Sequence, residues 1–257
     1  MSPPVHSRAA SFGPAADAYE RGRPGWNAEA LDVAASRLRL SSSSDVLDLA
    51  AGTGKLTREL VPRFARVTAV EPVDGMRAIL ERVVPGAHAL AGTAEAMPLD
   101  DASVDAVFVG EAMHWFDPPR AASEMARVLK PGGGVAVLYN RRDHFEAGDA
   151  WEREAHAVFE AHMLPPDDVD PWDESAWKAA LAGAFGPLRE DSVETSQRMD
   201  AVRIEATYAS FSGIAGLPPD RRKAAVDAIR DVLVRHAVDE VEVTYRTTIV
   251  TTAASAR

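Results

Sequence analysis

The chain has 257 residues, of which 46% are hydrophobic and 26% are charged, a composition typical of a globular protein with one large domain. Its formal net charge of −11 argues against a nucleic-acid partner, and the absence of cysteine excludes disulfides, thiolate nucleophiles and cysteine-ligated zinc. No apolar run approaches the ~20 residues of a membrane span, and the N-terminus lacks the apolar core of a signal peptide.

These properties predict a cytoplasmic protein that acts on a small molecule, without a nucleic-acid or membrane partner. Nothing in the composition indicates an oligomeric state.

The first half of the chain alternates apolar runs with helical patterns. An arm rich in Pro, Gly and Ala spans residues 1–25 and is predicted to contain one short helix, followed by five strands with helices between them. The predicted helices are Ala15–Tyr19, Asn27–Leu38, Lys55–Phe64, Asp74–Val83 and Pro119–Leu129, and the strands are Val46–Ala50, Val67–Glu71, Ala87–Ala91, Val104–Gly110 and Val135–Tyr139. Asp74 and Asp117 are the expected N-caps of their helices. This alternation predicts a parallel sheet covered on both faces.

The pattern changes after Asn140. The predicted helices are Ala147–His162, Glu174–Ala184, Asp200–Phe211 and Asp220–Ala237, with strands near Glu190–Arg198 and at Glu240–Thr252. The last strand alternates apolar and polar residues, which is typical of an antiparallel strand at or near a sheet edge. Because ligands of open α/β sheets bind outside the carboxyl ends of the strands, the segments between 147 and 237 are expected to cap the site.

The most informative motif is an apolar strand that ends in the turn Gly52-Thr-Gly54 and leads into a helical pattern. Glycines at such a turn let a ligand approach the backbone more closely than any Cβ allows. Glu71 lies 17 positions after Gly54, at the end of the next strand, where a βαβ unit places a carboxylate for the hydroxyls of a ribose. The motif therefore predicts a nucleotide-type cofactor.

Two residues bear on which cofactor it is. Thr57 stands where a dinucleotide fingerprint has its third glycine, and that glycine permits close packing beside a pyrophosphate. Asp48 lies inside the first strand, where it either caps the turn or orients it and meets a cationic amine. Both residues disfavour an NAD-type oxidoreductase.

The motifs, taken in order, resemble those of class I S-adenosylmethionine-dependent methyltransferases. Segments that carry the resemblance are Val46–Lys55, Glu71, the adenine loop Ala91–Leu99, Asp105–Asp117 and Leu129–Gly133. The lead-in Phe12–Tyr19 with Arg23-Pro24 is similar to that of the small-molecule branch, the trans-aconitate-methyltransferase-like group of methyltransferase type 11.

The resemblance implies a Rossmann-like, doubly wound α/β fold. Its sheet would be seven-stranded and mostly parallel, with an antiparallel C-terminal strand and a helical cap. Residues 1–40 would form an arm and helix that close over the cofactor, and residues 41–145 the S-adenosylmethionine-binding core. Residues 146–257 would supply the cap and the final strands.

The resemblance also implies S-adenosyl-L-methionine as cofactor, S-adenosyl-L-homocysteine as product, and no metal. The expected cofactor-binding residues are Tyr19, Arg23, Asp48, Ala50, Gly52, Thr53, Gly54, Glu71, Pro72, Met76, Thr93, Ala94, Glu95 and Glu111. Arg23 would grip the cofactor carboxylate, or else Tyr19 and Arg23 only pin the arm to the domain. Thr93 stands where many relatives carry an acid, so adenine would depend on the Ala94 and Glu95 amides or on the Glu95 side chain.

His114 and Trp115 follow the fourth strand, where the transferred methyl group is expected. His114 is the candidate catalytic base and Trp115 the candidate substrate-binding residue. The competing interpretations are a hydrogen-bonded wall histidine and a packing tryptophan.

Other side chains of the second half are weaker candidates. Aromatic and Met side chains line either a substrate pocket or the core, namely Met163, Trp172, Trp177, Phe185 and Phe211. Glu152, His156 and Glu160 share one helical face, but without a further ligand segment they predict a solvated surface rather than a metal site.

The function predicted from the sequence is methyl transfer from S-adenosylmethionine to a small carboxylate, hydroxyl or amine. The first alternative is an S-adenosylmethionine-binding protein without methyltransferase activity, and the second is the NAD-type oxidoreductase.

Overall fold

The computed structural model describes residues 12–142, 148–164 and 174–253. The strands are β1 Asp45–Leu49, β2 Arg66–Val70, β3 His88–Leu90, β4 Val104–Gly110, β5 Leu129–Arg141, β6 Arg189–Asp200 and β7 Glu240–Ala253. The helices are α1 Phe12–Gly22, α2 Ala28–Arg37, α3 Thr57–Leu60, α4 Asp74–Val83, α5 Pro118–Val128, α6 Ala150–His162, α7 Ser175–Phe185, α8 Ala201–Ala209, α9 Ser212–Ala215 and α10 Pro219–Arg235, with a 3₁₀ turn at Met113–Trp115.

The strands form one seven-stranded sheet in the order β3-β2-β1-β4-β5-β7-β6. Strands β1 to β5 pair in parallel, and β7 is antiparallel to both β5 and β6. The predicted fold class is confirmed, and β7 lies next to the edge strand β6, as its alternating pattern predicted. Strand order reverses between β1 and β4, which places the ligand crevice of such a sheet at their carboxyl ends.

Both faces of the sheet are buried, because successive side chains of a strand point to opposite sides. One face packs against α5 and α7, and the other against α2 and the residues around α3. Strand residues of the first face include Leu47, Leu49, Val107, Val109, Val135 and Val137, and those of the second face include Val46, Ala106, Phe108, Ala136 and Leu138.

Several predicted boundaries are wrong for identifiable reasons. The helix predicted at Lys55–Phe64 is α-helical only over Thr57–Leu60, because Pro62 lacks the N–H that would continue the ladder. The arm helix is longer than the predicted Ala15–Tyr19, since its C-terminal end packs against α8. The helix predicted from Ala147 begins at Ala150, and residue 147 itself lies outside the described residues.

The glycine-rich turn expected to separate α5 from the fifth strand lies inside β5. Leu129 pairs with Val104 and Gly134 with Ala106, so residues 130–133 form a bulge opposite Asp105. Gly132 has a φ of 82°, a conformation that glycine adopts without strain.

The two predicted caps differ in outcome. Asp117 is the N-cap of α5 and accepts the Arg120 N–H at 3.2 Å, as predicted. The prediction for Asp74 is wrong, because Val73 is the N-cap of α4 and Asp74 pairs instead with Arg77.

The arm meets the cap where the backbones of α1 and α8 touch. A Cβ added to Gly22 would lie 2.2 Å from the Thr207 nitrogen, a separation that real side chains do not tolerate. The Thr207 hydroxyl donates to the Gly22 carbonyl at 2.7 Å. Only glycine therefore lets the arm dock on α8.

We expect Gly22→Ala to detach the arm and to lower the free energy of unfolding by about 1–3 kcal/mol, since the clash outweighs the better helix propensity of alanine. Gly25→Ala is the matched control, because no atom lies within 4 Å of a Cβ at Gly25. Urea unfolding and amide exchange of residues 12–25 measure the effect. Equal stability and equal exchange in both variants would contradict it.

Candidate functional site

The site is organised around Glu71, which lies at the end of β2 with 5% of its surface exposed. One carboxylate oxygen accepts the Gly52 N–H at 2.8 Å and the other accepts the Val73 N–H at 2.8 Å. Each oxygen retains a further lone pair, which a ribose hydroxyl could use. Burial raises the pKa of Glu71 to about 7.

The turn after β1 has the open backbone that its glycines predicted. Gly52 and Gly54 have φ of 59° and 86°, and Ala50 before them has φ of 57°. A Cβ at Gly52 would lie 3.4 Å from Met76 Cε and 4.0 Å from the Tyr19 ring. The structure thus brings Tyr19 and Met76 together over the glycine turn, and the half-buried Pro72 follows Glu71 in the chain.

Asp48 is buried beneath this turn, with 1% of its surface exposed. The Thr57 hydroxyl donates to its Oδ2 at 2.6 Å. Burial, together with the nearby charge of Glu71, raises the pKa of Asp48 to about 7. Thr57, which sequence reasoning treated only as a missing glycine, is the residue that holds Asp48 in place.

Glu111 supplies a third carboxyl at the end of β4. Its φ is 57°, and its Oε1 accepts the Asn140 N–H at 2.6 Å. Burial raises the pKa of Glu111, while Arg23 and Arg141 lower it. Since a nearby cation would favour the ionised form of a buried carboxyl, the site is suited to a positively charged ligand.

The loop after β3 presents a buried polar atom. Thr93 and Ala94 are buried, and Thr93 Oγ1 has no hydrogen-bond partner among the described residues. Such an atom is costly unless a ligand or water satisfies it. Glu95, which follows in the same loop, accepts the Asp117 N–H at 2.9 Å through its Oε1.

The arm contacts both the turn and the cap. Burial raises the pKa of Tyr19 to about 12, and Glu111, Glu71 and Asp48 contribute to the rise. Tyr19 is therefore within electrostatic range of the three carboxyls of the site. Arg23 instead turns to the cap, where its Nε donates to the Ser210 hydroxyl at 2.9 Å and its guanidinium lies 4.5 Å from the Phe211 ring.

Glu20 forms contacts with the glycine turn that the sequence did not predict. Its carboxylate accepts the Thr53 hydroxyl at 2.6 Å and Arg58 Nη2 at 2.6 Å. Glu20 is next to Tyr19 in the chain, so the arm is bonded to the glycine turn at the same point where it covers it.

An aromatic wall follows β4. The His114 ring lies 4.5 Å from that of Trp115 and 6.4 Å from that of Tyr139, which lies 6.1 Å from the Trp177 ring. His114 and Trp115 are half-buried, whereas Tyr139 is buried and its pKa is raised mainly by that burial. Sequence reasoning did not single out Tyr139, because it lies in an apolar strand.

The remaining candidates are distributed between core and cap. Trp177 and Phe185 belong to the sheet core, whereas Phe211 packs on Tyr208 with ring centroids 5.7 Å apart. Met163 lies against Gly213, and Trp172 is outside the described residues.

Several charged residues of α6 form ion pairs, among them Glu154 with Arg235 and His236. Glu152 pairs with Arg142, and His156 with Glu160. In the part of the chain that the structure describes, no cluster of three potential metal ligands occurs. Within the same residues, no helix is long and apolar enough to cross a bilayer.

Comparison with known proteins identifies the family. A methyltransferase domain model matches residues 47–137. An uncharacterized methyltransferase of Mycobacterium bovis is 40% identical over 226 residues, which are 88% of this chain and 86% of that protein. The chain belongs to the class I S-adenosylmethionine-dependent methyltransferases. The methyltransferase prediction is thereby confirmed, and the NAD-type alternative is not supported.

Solved structures of the same fold include the [4+2]-cyclase SpnF, with a TM-score of 0.59 at 18% identity over 100% of this chain and 98% of that one. A Haemonchus contortus phosphoethanolamine N-methyltransferase 2, in complex with S-adenosylhomocysteine, has a TM-score of 0.53 at 17% identity. That match covers 93% of this methyltransferase and 57% of the other chain. At these identities the likeness is one of fold.

The burial of Asp48 predicts a pH-dependent stability. Because burial raises its folded pKa to about 7 from an ordinary value of 3.8, its contribution to stability is present below the lower value and lost as pH rises through the higher one. We expect the unfolding free energy of Asp48→Asn, relative to wild type, to increase by about 2 kcal/mol between pH 5 and pH 8.5. Urea unfolding at both values measures it, with the exposed Asp74→Asn as control. A constant difference would contradict the effect of burial.

Proposed function

We propose that this methyltransferase transfers the methyl group of S-adenosylmethionine to a small-molecule carboxylate, hydroxyl or amine. The observation that carries the proposal is the set of three carboxyls, the buried Asp48 and Glu71 and the half-buried Glu111, around an open glycine turn. They suit a ligand that combines ribose hydroxyls with positive charge. When bound, S-adenosylmethionine supplies a methyl group already activated by the charge on its sulfur.

The residues present fit this cofactor. Glu71 would accept the ribose hydroxyls, and Asp48 would orient the turn and attract the amine. Thr93 Oγ1, which is buried without a protein partner among the described residues, would gain one from the adenine. Tyr19 and Met76 would cover the cofactor at Gly52, where their side chains already meet.

The aromatic wall suits the acceptor side. Trp115 would line the acceptor slot, and His114 would take the proton that an oxygen or nitrogen acceptor loses. Exclusion of water by the wall and the cap would leave positioning as the main task of the protein.

Calorimetry with S-adenosylhomocysteine and transfer of labelled methyl to a panel of acids, phenols and amines test the proposal. We expect Glu71→Gln to weaken the binding of S-adenosylhomocysteine by about 100-fold and to abolish methyl transfer, because the ribose hydroxyls lose a charged acceptor. Glu81→Gln, an exposed carboxylate of α4, is the control. If wild type does not bind S-adenosylhomocysteine, the proposal is overturned. If it binds S-adenosylhomocysteine but methylates none of the acids, phenols or amines, the result favours a cofactor-binding protein without methyltransferase activity.

The variant His114→Ala distinguishes a catalytic base from a residue that only lines the acceptor site. We expect turnover at saturating cofactor to fall by about 100-fold, with unchanged affinity for S-adenosylhomocysteine, because the acceptor keeps its proton. Unchanged turnover would assign His114 to the wall.

A further inference from the structure

The helical cap has a hydrophobic core of its own, which forms between α6, α8, α10 and the first half of β7. Three members of this cap core carry a polar atom on an aromatic ring, namely Trp151, Tyr208 and Tyr245. Such an atom normally has a hydrogen-bond partner when it is buried. The partners of these three side chains therefore indicate whether the cap core is complete by itself.

Tyr245 has a partner, whereas Trp151 and Tyr208 lack one among the described residues. The Tyr245 hydroxyl donates to Met199 Sδ at 3.3 Å. Trp151 is 6% exposed and Tyr208 is 3% exposed, and in the part of the chain that the structure describes neither Trp151 Nε1 nor Tyr208 Oη forms a hydrogen bond. Both atoms are donors, and leaving them unsatisfied costs free energy that a bound oxygen atom would recover.

One ion pair borders the two donors. Arg142, directly after β5, pairs with Glu152, which follows Trp151 in α6, and its guanidinium lies 5.8 Å from the Tyr245 ring. Burial raises the pKa of the Tyr208 hydroxyl, and the charges of Arg142, which lowers it, and Glu152, which raises it, also act on this group. Because Glu152 already neutralises Arg142, these surroundings favour an uncharged ligand group over an anion.

Aromatic contacts connect the cap core to the cover of the glycine turn. The Tyr208 ring lies 5.7 Å from that of Phe211, and the Arg23 guanidinium lies 4.5 Å from the Phe211 ring and 5.3 Å from the Tyr19 ring. Arg142 also places the cap core beside the carboxyl end of β5, the edge of the sheet at which ligands bind. The two donors therefore lie on the cap side of the proposed cofactor site.

We propose that Tyr208 Oη and Trp151 Nε1 form a subsite in the cap that binds an uncharged carbonyl group, that of a ketone, ester or amide. The inference rests on the proposed function, since the carbonyl would belong to the methyl acceptor and lie away from the atom that is methylated. A carbonyl oxygen accepts hydrogen bonds and donates none, so it matches donors that lack an acceptor. The subsite thus selects methyl acceptors with an apolar body and a neutral oxygen.

The test uses the full chain and three phenols that differ only in the group opposite the hydroxyl. The compound para-hydroxyacetophenone carries a neutral carbonyl, para-ethylphenol lacks it, and para-hydroxybenzoate carries a charge. Calorimetry measures each phenol with the free protein and with its S-adenosylhomocysteine complex. The variant Tyr208→Phe removes the unpartnered hydroxyl, and the matched control Tyr245→Phe removes a hydroxyl of the same core that has a partner.

We expect wild type to bind para-hydroxyacetophenone about tenfold more tightly than the other two phenols, which corresponds to one good hydrogen bond. Tyr208→Phe abolishes this preference and Tyr245→Phe keeps it. In two-dimensional NMR spectra, the indole N–H signal that is lost in Trp151→Phe shifts with the ketone and not with para-ethylphenol.

The subsite is overturned if wild type binds none of the phenols, binds them equally or binds para-hydroxybenzoate most tightly. A preference for the ketone that Tyr208→Phe retains, or that Tyr245→Phe also abolishes, overturns it as well. Urea unfolding shows whether the variants fold, and we expect Tyr208→Phe to be at least as stable as wild type because it loses an unsatisfied hydroxyl. Wild type that does not bind S-adenosylhomocysteine would overturn the proposed function, whereas the phenols added to the free protein test the subsite by itself.

Discussion

The carboxylate of Glu71 connects two turns of the backbone through hydrogen bonds. It accepts the N–H of Gly52 after β1 and that of Val73 before α4, so its position fixes the distance between the ends of two neighbouring strands. Because the group is almost fully buried, those bonds also limit the cost of ionising it. The open turn at Gly52, against which Tyr19 packs, depends on this frame.

Charge is separated across the site. Asp48, Glu71 and Glu111 lie at the carboxyl ends of the strands, whereas Lys55, Arg23 and Arg203 lie where the arm and cap approach the turn. Tyr19 lies beside the carboxyls and is followed by Glu20, which is bonded to the turn. One turn of the arm helix thus lies near both the carboxyls and the cations of the site. A change in the arm would therefore affect both sets of charges.

The strands of the sheet could be predicted from the sequence, whereas helix ends and long-range side-chain hydrogen bonds could not. Strands of buried β-branched residues, such as Val104–Gly110, are recognisable because their pattern depends on burial alone. The length of α3 depended on Pro62, and the N-cap of α4 is Val73, which makes no side-chain capping hydrogen bond. Contacts such as Glu20 with Thr53 join residues 33 positions apart, and no local pattern predicts them.

Among the predicted site residues, those required by local backbone geometry were predictable, and those positioned by packing between distant segments were not. The glycine turn and Glu71 were predictable because backbone geometry requires them there. The engagement of Arg23 with Ser210 was not, since it depends on where α8 packs.

The edge strand β6 has a consequence for how this protein behaves at high concentration. It is twelve residues long, and among the described residues β7 is its only strand partner, so its other side could pair with a strand of another molecule. Charged side chains occupy much of its length, namely Arg189, Glu190, Asp191, Glu194, Arg198 and Asp200. Their desolvation opposes pairing between molecules, so charge protects this edge from aggregation.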